Sequence, residues 1–304
     1  MQNKSGANQA TRTSVTRVSD MKLALGFANT GPFATGPGAR ALGPAAEAAG
    51  FESVWTVEHV LYPEGYESTY PYSPTGKMPG SGDSPIPDPM AWLSFIGATT
   101  TELKLGTGIL ILPQRNPAIL AKEVATVDAL TEGRVMLGIG VGWLKEEFAA
   151  LGVPWERRGK RTDEYMDVMR SLWGTDNVTY DGEFVQYDGV SSNPKPHNGS
   201  VPIHIGGHSA AAAKRAGRIG DGFFPGTGDL GELIDIMRQT AADEGRDPAS
   251  IEVTAGAAQL TSDPSAAVQE LESLGVDRMF VPAFLFFRSE NLAEDMANFT
   301  AGLI

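Results

Sequence analysis

From Met21 onward, short runs that are apolar at nearly every position alternate with longer stretches whose apolar positions recur at helical spacing. The short runs predict strands over residues 22–28, 53–57, 103–112, 135–141, 203–206, 222–225, 251–256 and 278–282. Several, such as GILIL and MFV, lack polar alternation, which suits strands covered on both faces, as in a parallel sheet. The helical stretches fall at 40–49, 117–130, 161–173, 210–217, 230–244, 266–274 and 292–299. Gly50, Gly133, Gly174 and Gly275 mark ends of such stretches, and Asp263-Pro264-Ser265 reads as a helix start.

Eight strands alternating with seven helical stretches predict an α/β fold closed as a (β/α)8 barrel. Most strand-to-strand steps match the ~30 residues of one βα unit. Two are longer, from Val57 to Leu103 and from Val141 to Ile203, so insertions are expected after strands 2 and 4. Both follow the C-terminal end of a strand, the face on which such barrels build their sites. The first insertion, 58–89, carries four tyrosines among prolines, glycines and serines. It reads either as surface decoration or as an aromatic-walled mouth or lid, since rings are costly in a purely solvated loop. The second, 174–202, reads as structural. Residues 21–304 are expected to form one barrel domain. Residues 1–20 are polar and aperiodic, with no apolar stretch of the secretory type, and are expected to be a flexible arm.

Composition narrows the partners. The 304 residues hold 24 Lys+Arg against 37 Asp+Glu, a net charge of −13, which argues against nucleic acid or an anionic membrane as main partner. With no cysteine there is no disulfide, thiolate metal site or Cys nucleophile. Apolar residues make up 41%, too many for a disordered chain, and no run reaches the ~18–20 residues of a membrane span. A cytoplasmic protein is expected. No GxSxG, HExxH or Walker sequence occurs, so chemistry brought by a cofactor gains over an obvious nucleophile or metal.

Four segments carry candidate chemistry. In Trp55-Thr56-Val57-Glu58-His59, His59 lies just past the second strand, where imidazole can carry a proton or contact a cofactor; the alternative is a loop-capping hydrogen bond. In the segment from Leu105 to Pro117, glycines within a strand mark a bulge or a close approach to the backbone, for example by a flat ring; Arg115 there either binds an anion or pairs with an acid. Gly138-Ile139-Gly140-Val141-Gly142-Trp143 is not GxGxxG; its glycines leave room for a packed ligand, with Trp143 at the mouth. Gly206-Gly207-His208-Ser209 runs into an alanine-rich helix whose free N–H groups and positive dipole end suit a phosphate. An ordinary turn with a Ser209 cap is the alternative. Gly226 and Thr227, after the next strand, can close on the same phosphate.

Together these segments identify a resemblance. WTVEHV, LGTGILILPQRNP, AKEVATVDALTEGRVMLGIGVGWLKEEF, RGKRTDEYMDVMRSLW, PIHIGGHS and RAGRIGDGFFP occur in the order seen in the luciferase-like monooxygenase superfamily. More narrowly, the chain resembles the oxidoreductases that use the deazaflavin coenzyme F420, common in actinobacteria. The resemblance implies a TIM barrel with an isoalloxazine-like ring at its C-terminal face. It implies a non-prolyl cis peptide within Thr107-Gly108-Ile109-Leu110 behind that ring. It also implies that Val141, Gly142 and Trp143 line the cofactor's side chain, that Gly206, Gly207, His208, Ser209, Gly226 and Thr227 cradle its phosphate, and that His59 stands near the reactive carbon. Phe27 is expected beside the ring and Glu58 as a residue that orients His59. Bacterial luciferase has an arginine at about the place of Val141, on the flavin phosphate; valine there weakens the case for FMN.

The function so implied is hydride transfer between a small organic substrate and F420. An FMN-dependent monooxygenase fed by a separate flavin or F420 reductase, and a non-catalytic flavin-binding relative, are the alternatives. Family likeness also implies a homodimer. A basic patch of Lys122, Lys145, Arg157, Arg158, Lys160 and Arg161 either offsets the global charge near the ligand or is solvated, with Glu146, Glu147 and Glu156 as partners.

Overall fold

The computed structural model describes residues 21–303, so the arm expected at 1–20 lies outside it. In chain order the first half runs β1 (Lys22–Gly26), α1 (Gly36–Ala48), β2 (Ser53–Thr56), α2 (Pro89–Gly97), β3 (Lys104–Thr107), β4 (Leu110–Ile111), α3 (Pro117–Leu130), β5 (Val135–Gly140), α4 (Lys145–Ala150) and α5 (Arg158–Gly174). The second half runs β6 (Val178–Asp181), β7 (Gln186–Val190), β8 (Ile203–Gly206), α6 (Ala210–Ile219), β9 (Gly222–Phe224), α7 (Leu230–Asp243), β10 (Glu252–Ala255), α8 (Pro264–Ser273), β11 (Arg278–Pro282) and α9 (Leu292–Ala301).

All barrel pairings are parallel, in the order β3-β2-β1-β11-β10-β9-β8-β5-β4, and a further β3–β5 pairing closes the ring. The third of the eight positions is filled by β3 and β4 in succession, and the Gly108–Ile109 peptide between them is cis. The fold is the expected (β/α)8 barrel. Every residue of β2 and β5 is buried, as the unbroken apolar run of β5 requires.

Helix starts follow local chemistry. Asp88 caps α2 through the Ala91 N–H at 3.0 Å, Asn116 caps α3, and Ser209 caps α6 through the Ala212 N–H; Pro89, Pro117 and Pro264 open their helices. Two short features had no place in the sequence pattern: α2, at the end of the first insertion, and α4. The second insertion forms an antiparallel hairpin, β6 with β7, outside the barrel.

Alternation along the strands sorts side chains into two cores. Leu23, Leu25, Val54, Leu105, Leu137 and Ile203 pack outward against the helices. Ala24, Trp55, Met136 and Phe280 form a separate cluster that plugs the ring, with Phe27 and Phe224 packed on it. The strand glycines serve this plug. A Cβ on Gly106 would meet the Trp55 indole, one on Gly138 the Thr107 carbonyl oxygen, one on Gly26 the Phe280 ring and one on Gly222 the His204 ring. The flat ring that approaches Gly106 and the backbone that approaches Gly138 both belong to the protein, which corrects the reading of these two glycines as room for a ligand.

Charge is gathered at the opposite end from the candidate site. Arg278, fully buried at the start of β11, donates to Glu52 at 2.8 and 3.0 Å and to Glu252 at 3.1 Å. Burial alone would raise both carboxyls, but Arg278 with Lys104 and Lys22 outweighs it and holds each down at about 2. Among the described residues, no helix is long and apolar enough to cross a membrane.

Candidate active site

The C-terminal end of β2 leads directly into the first insertion, and His59 lies there with 13% of its side chain exposed. Its Nδ1 is 3.1 Å from a carboxylate oxygen of Glu147, a residue of α4 with only 1% of its side chain exposed. The other Glu147 oxygen accepts the N–H groups of Val60 (2.7 Å) and Leu61 (3.1 Å). Burial alone would raise the Glu147 carboxyl; the His59 contact and the Leu61 N–H outweigh it and hold it below the usual carboxylate range. Glu147 is therefore the partner that sequence reasoning assigned to Glu58.

Glu58 points elsewhere. It is buried, accepts the Ile111 N–H at 2.6 Å and forms an ion pair with Arg115, which also reaches Asp88 at 2.9 Å. Burial pushes the Glu58 carboxyl up, against the pull of Arg115 and the Ile111 N–H. With three donors on its two oxygens, it acts as the acceptor of an ion pair that ties the end of β2 to the segment after β4. Arg115 is thus a pairing residue rather than a free anion site.

An arc of rings runs from His59 across the mouth. Ring centroids are 5.8 Å apart for His59–Trp143, 5.1 Å for Trp143–Tyr70, 5.3 Å for Tyr70–Tyr72 and 5.2 Å for Tyr72–His208, and every contact is edge-to-face. Tyr66 adds a further edge against Trp143 at 5.5 Å. The first insertion is therefore the aromatic wall of the mouth, and Trp143 stands in it as expected. Phe27, with a positive φ of 55°, faces Phe280 at 5.5 Å and Phe284 at 6.0 Å on another side. Asn29, fully buried, holds the insertion at both ends: its amide donates to the carbonyls of Val57 (2.9 Å) and Pro87 (3.0 Å), and it accepts the Val57 N–H at 2.8 Å. Glu146 accepts the N–H groups of Glu67 and Ser68 and the Ser68 hydroxyl. Sequence reasoning had no signal for Asn29, an isolated polar residue in FANTG, and read Glu146 and Glu147 as solvated partners of the basic patch.

The turn expected to form a phosphate cradle lies at the start of α6. Gly207 has φ +137°, outside the range of ordinary side chains, and bonds to the Phe224 carbonyl at 3.2 Å, which draws the turn toward the end of β9. His208 and Ser209 are exposed beside it, and the first N–H groups of the ten-residue helix have no partner within it by geometry. Gly226 and Thr227 are exposed in the next loop; a Cβ on Gly226 would strike Tyr72, so the aromatic wall reaches down to the cradle. Ile109 occupies the space left by Gly140 and Gly206. A helix start free of carboxylate caps, with paired rather than free acids nearby, suits a phosphate-bearing group.

The family model described as luciferase-like monooxygenase matches residues 26–297. The chain belongs to this family. Among luciferase-like relatives, an F420-dependent glucose-6-phosphate dehydrogenase of Nocardia farcinica is 39% identical over 165 residues, covering 52% of this chain and 48% of that protein. An FMNH2-dependent dimethylsulfone monooxygenase of Pseudomonas fluorescens is 33% identical over 210 residues, covering 67% of this chain and 52% of that protein. Of solved structures, the coenzyme F420-dependent tetrahydromethanopterin reductase of Methanopyrus kandleri superposes with a TM-score of 0.70 at 17% identity, over 93% of this chain and 98% of that one, a likeness of fold.

Within this luciferase-like barrel the remaining candidates divide. Gly108 and Ile109 form the cis peptide that the resemblance implied. Thr107 is buried, with its hydroxyl on the Gly138 carbonyl at 2.6 Å, so it serves the sheet rather than the mouth. Val141 is half-buried; Gly142, at φ +82°, has Phe148 and Ile111 where a side chain would go. Of the basic patch, Arg157 pairs with Glu183 and the buried Arg161 donates to the Pro154 carbonyl. Arg158 lies 3.6 Å over the Trp155 ring and donates to the Gly142 carbonyl at 3.3 Å. The patch does not act as a unit.

Proposed function

We propose that this chain is an oxidoreductase that moves a hydride between a small organic substrate and coenzyme F420. The observation that carries the reading is the arc from His59 through Trp143, Tyr70 and Tyr72 to His208, which links His59 to the start of α6. Bound there, the deazaflavin supplies the redox step. His59 holds or takes the substrate proton, the Gly207 turn leaves room for phosphate, the Ser209 hydroxyl and the free first N–H groups of α6 hold it, and the tyrosine wall excludes water and orients an apolar substrate.

A second reading, FMN-dependent monooxygenation with reduced flavin from a separate reductase, is favoured by the greater length of this chain that matches the FMNH2-dependent relative. Fluorescence-quenching titrations with F420 and with reduced FMN separate the two. Binding of F420 with no comparable binding of reduced FMN supports hydride transfer; the reverse replaces it with the monooxygenase reading. His59→Ala is expected to keep F420 affinity and to lower turnover at least about 100-fold. Full turnover in that variant removes His59 from the chemistry.

A further inference from the structure

Glu147 is built more elaborately than a loop contact requires. It lies in the six-residue α4, next to Phe148, which is fully buried and meets Trp155 edge-on at 5.2 Å, so the backbone that carries it is fixed. One oxygen takes two backbone N–H groups, those of Val60 and Leu61, immediately after His59 in the chain. The other meets the Nδ1 of His59, and the Gln114 amide adds a further favourable interaction with the carboxylate. The two N–H groups decide the orientation of the carboxyl, and that orientation leaves an acceptor, never a donor, facing the imidazole. A carboxylate in that position selects the tautomer with its proton on Nδ1. The ring's other nitrogen, Nε2, is then an acceptor at the edge away from Glu147.

We propose that Glu147 is the positioning residue of His59, a buried carboxylate that keeps the proton on Nδ1 and presents the Nε2 lone pair to the mouth. This rests on the reading of His59 as the proton carrier. The same carboxylate fixes the start of the tyrosine-bearing insertion through Val60 and Leu61, so the base and the wall that encloses the substrate share one anchor. Loss of the carboxylate then disturbs proton transfer before it disturbs the fold.

Glu147→Gln tests the idea with nearly unchanged shape. The amide oxygen must stay on the Val60 and Leu61 N–H groups, because the NH2 cannot accept them, and so the NH2 faces Nδ1 and donates to it. The tautomer is expected to invert. Nitrogen NMR of the full-length protein labelled at its four histidines, with the His59 signals identified by their loss in His59→Ala, reads this in the absence of substrate. At a pH where the imidazole is neutral, the wild type is expected to show a protonated Nδ1 and Glu147→Gln a protonated Nε2. Glu146→Gln, which touches Glu67 and Ser68 but not His59, is expected to keep the wild-type pattern. With cofactor and substrate, Glu147→Gln is expected to lower kcat about 100-fold with KM changed less than about threefold, and Glu147→Asp to restore the Nδ1 proton and part of kcat. A wild-type His59 protonated on Nε2, or a pattern unchanged by Glu147→Gln, overturns the proposal. Inversion of the tautomer in a protein that binds neither F420 nor FMN upholds the pair and removes only the redox reading.

Discussion

Trp55 fills the ring of strands, with its indole N–H on the Ser53 hydroxyl at 2.9 Å, its edge on His204 at 5.4 Å and Phe224 at 5.7 Å. Gly106 lies 2.5 Å from that indole measured from the Cβ it lacks, and its backbone angle is ordinary, so space alone requires glycine there. Gly106→Ala is expected to cost ~1–3 kcal/mol through overpacking. Trp55→Phe alone leaves a cavity and also destabilises; in the double variant the smaller ring makes room for the methyl, and the two losses are expected to add to less than their sum. Chemical denaturation of the four proteins measures the coupling, and strict additivity would mean that the indole does not enforce the glycine. A glycine inside a strand told truly that something comes close to the backbone. It carried no information on whether that ring is a ligand's or a tryptophan 51 positions earlier, because the approach is set by tertiary packing.

At the scale of elements, the strands were legible because a parallel barrel buries both faces and leaves unbroken apolar runs. Helix α2 was not assigned, although Asp88-Pro89 is the same start signal as Asp263-Pro264, because PMAWLSFIG is apolar on every side and shows no helical face. The insertion it follows has no regular structure of its own, and what holds it is long-range: Asn29 at both ends, Glu146 and Glu147 between. Such polar anchors leave no periodic trace. Asn29→Ala removes three hydrogen bonds at net ~1 kcal/mol each, and the loss is expected to appear locally, as faster amide exchange across 58–88 with exchange in the barrel strands unchanged. Uniform protection in that variant would mean the aromatic wall holds the insertion by itself. Glu146 is held at about 2 by the Ser68 hydroxyl and backbone N–H groups, which outweigh its slight burial, and Glu147 is also lowered. Folded-state values below the unfolded ones stabilise the docked insertion above pH ~4.5 and lose that contribution as pH falls through the folded values. Exchange in 58–68 is therefore expected to rise ahead of the barrel on acidification below pH ~4.5, and a simultaneous rise in both would refute a separate clasp.

At the scale of the whole molecule, one side chain sets a weakness in the barrel's interior. His204 is 1% exposed, its ring stands edge-on to Trp55, its Nδ1 has no hydrogen-bond partner, and Gly222 leaves it the space it occupies. Burial, reinforced by the nearby Arg278 charge, depresses it from 6.5 to about 4 against the opposing pull of Glu252, Asp221 and Glu52. For a base with a depressed value the unfolded chain binds the proton first, so stability is full above pH ~6.5 and declines as pH falls toward 4. The carboxylates of Glu52 and Glu252, held at about 2, begin to withdraw their contribution only as pH approaches ~4.5, so the upper part of the interval from 6.5 to 4.5 is where the histidine acts without them. Across that interval the unfolding free energy is expected to drop by about 2 kcal/mol, because the slope reaches its limit of about 1.36 kcal/mol per pH unit only once the unfolded imidazole is fully protonated. His204→Leu keeps an apolar side chain against Trp55 and removes the titration, so its melting temperature is expected to stay nearly level over the same interval while that of the wild type falls. Parallel curves would place the acid sensitivity elsewhere. Because His204 touches the tryptophan that underlies the mouth, protonation is expected to loosen the floor of the candidate site together with the barrel, and the part of the emission of the five tryptophans that is lost in Trp55→Phe should shift within the same pH interval as the melting temperature.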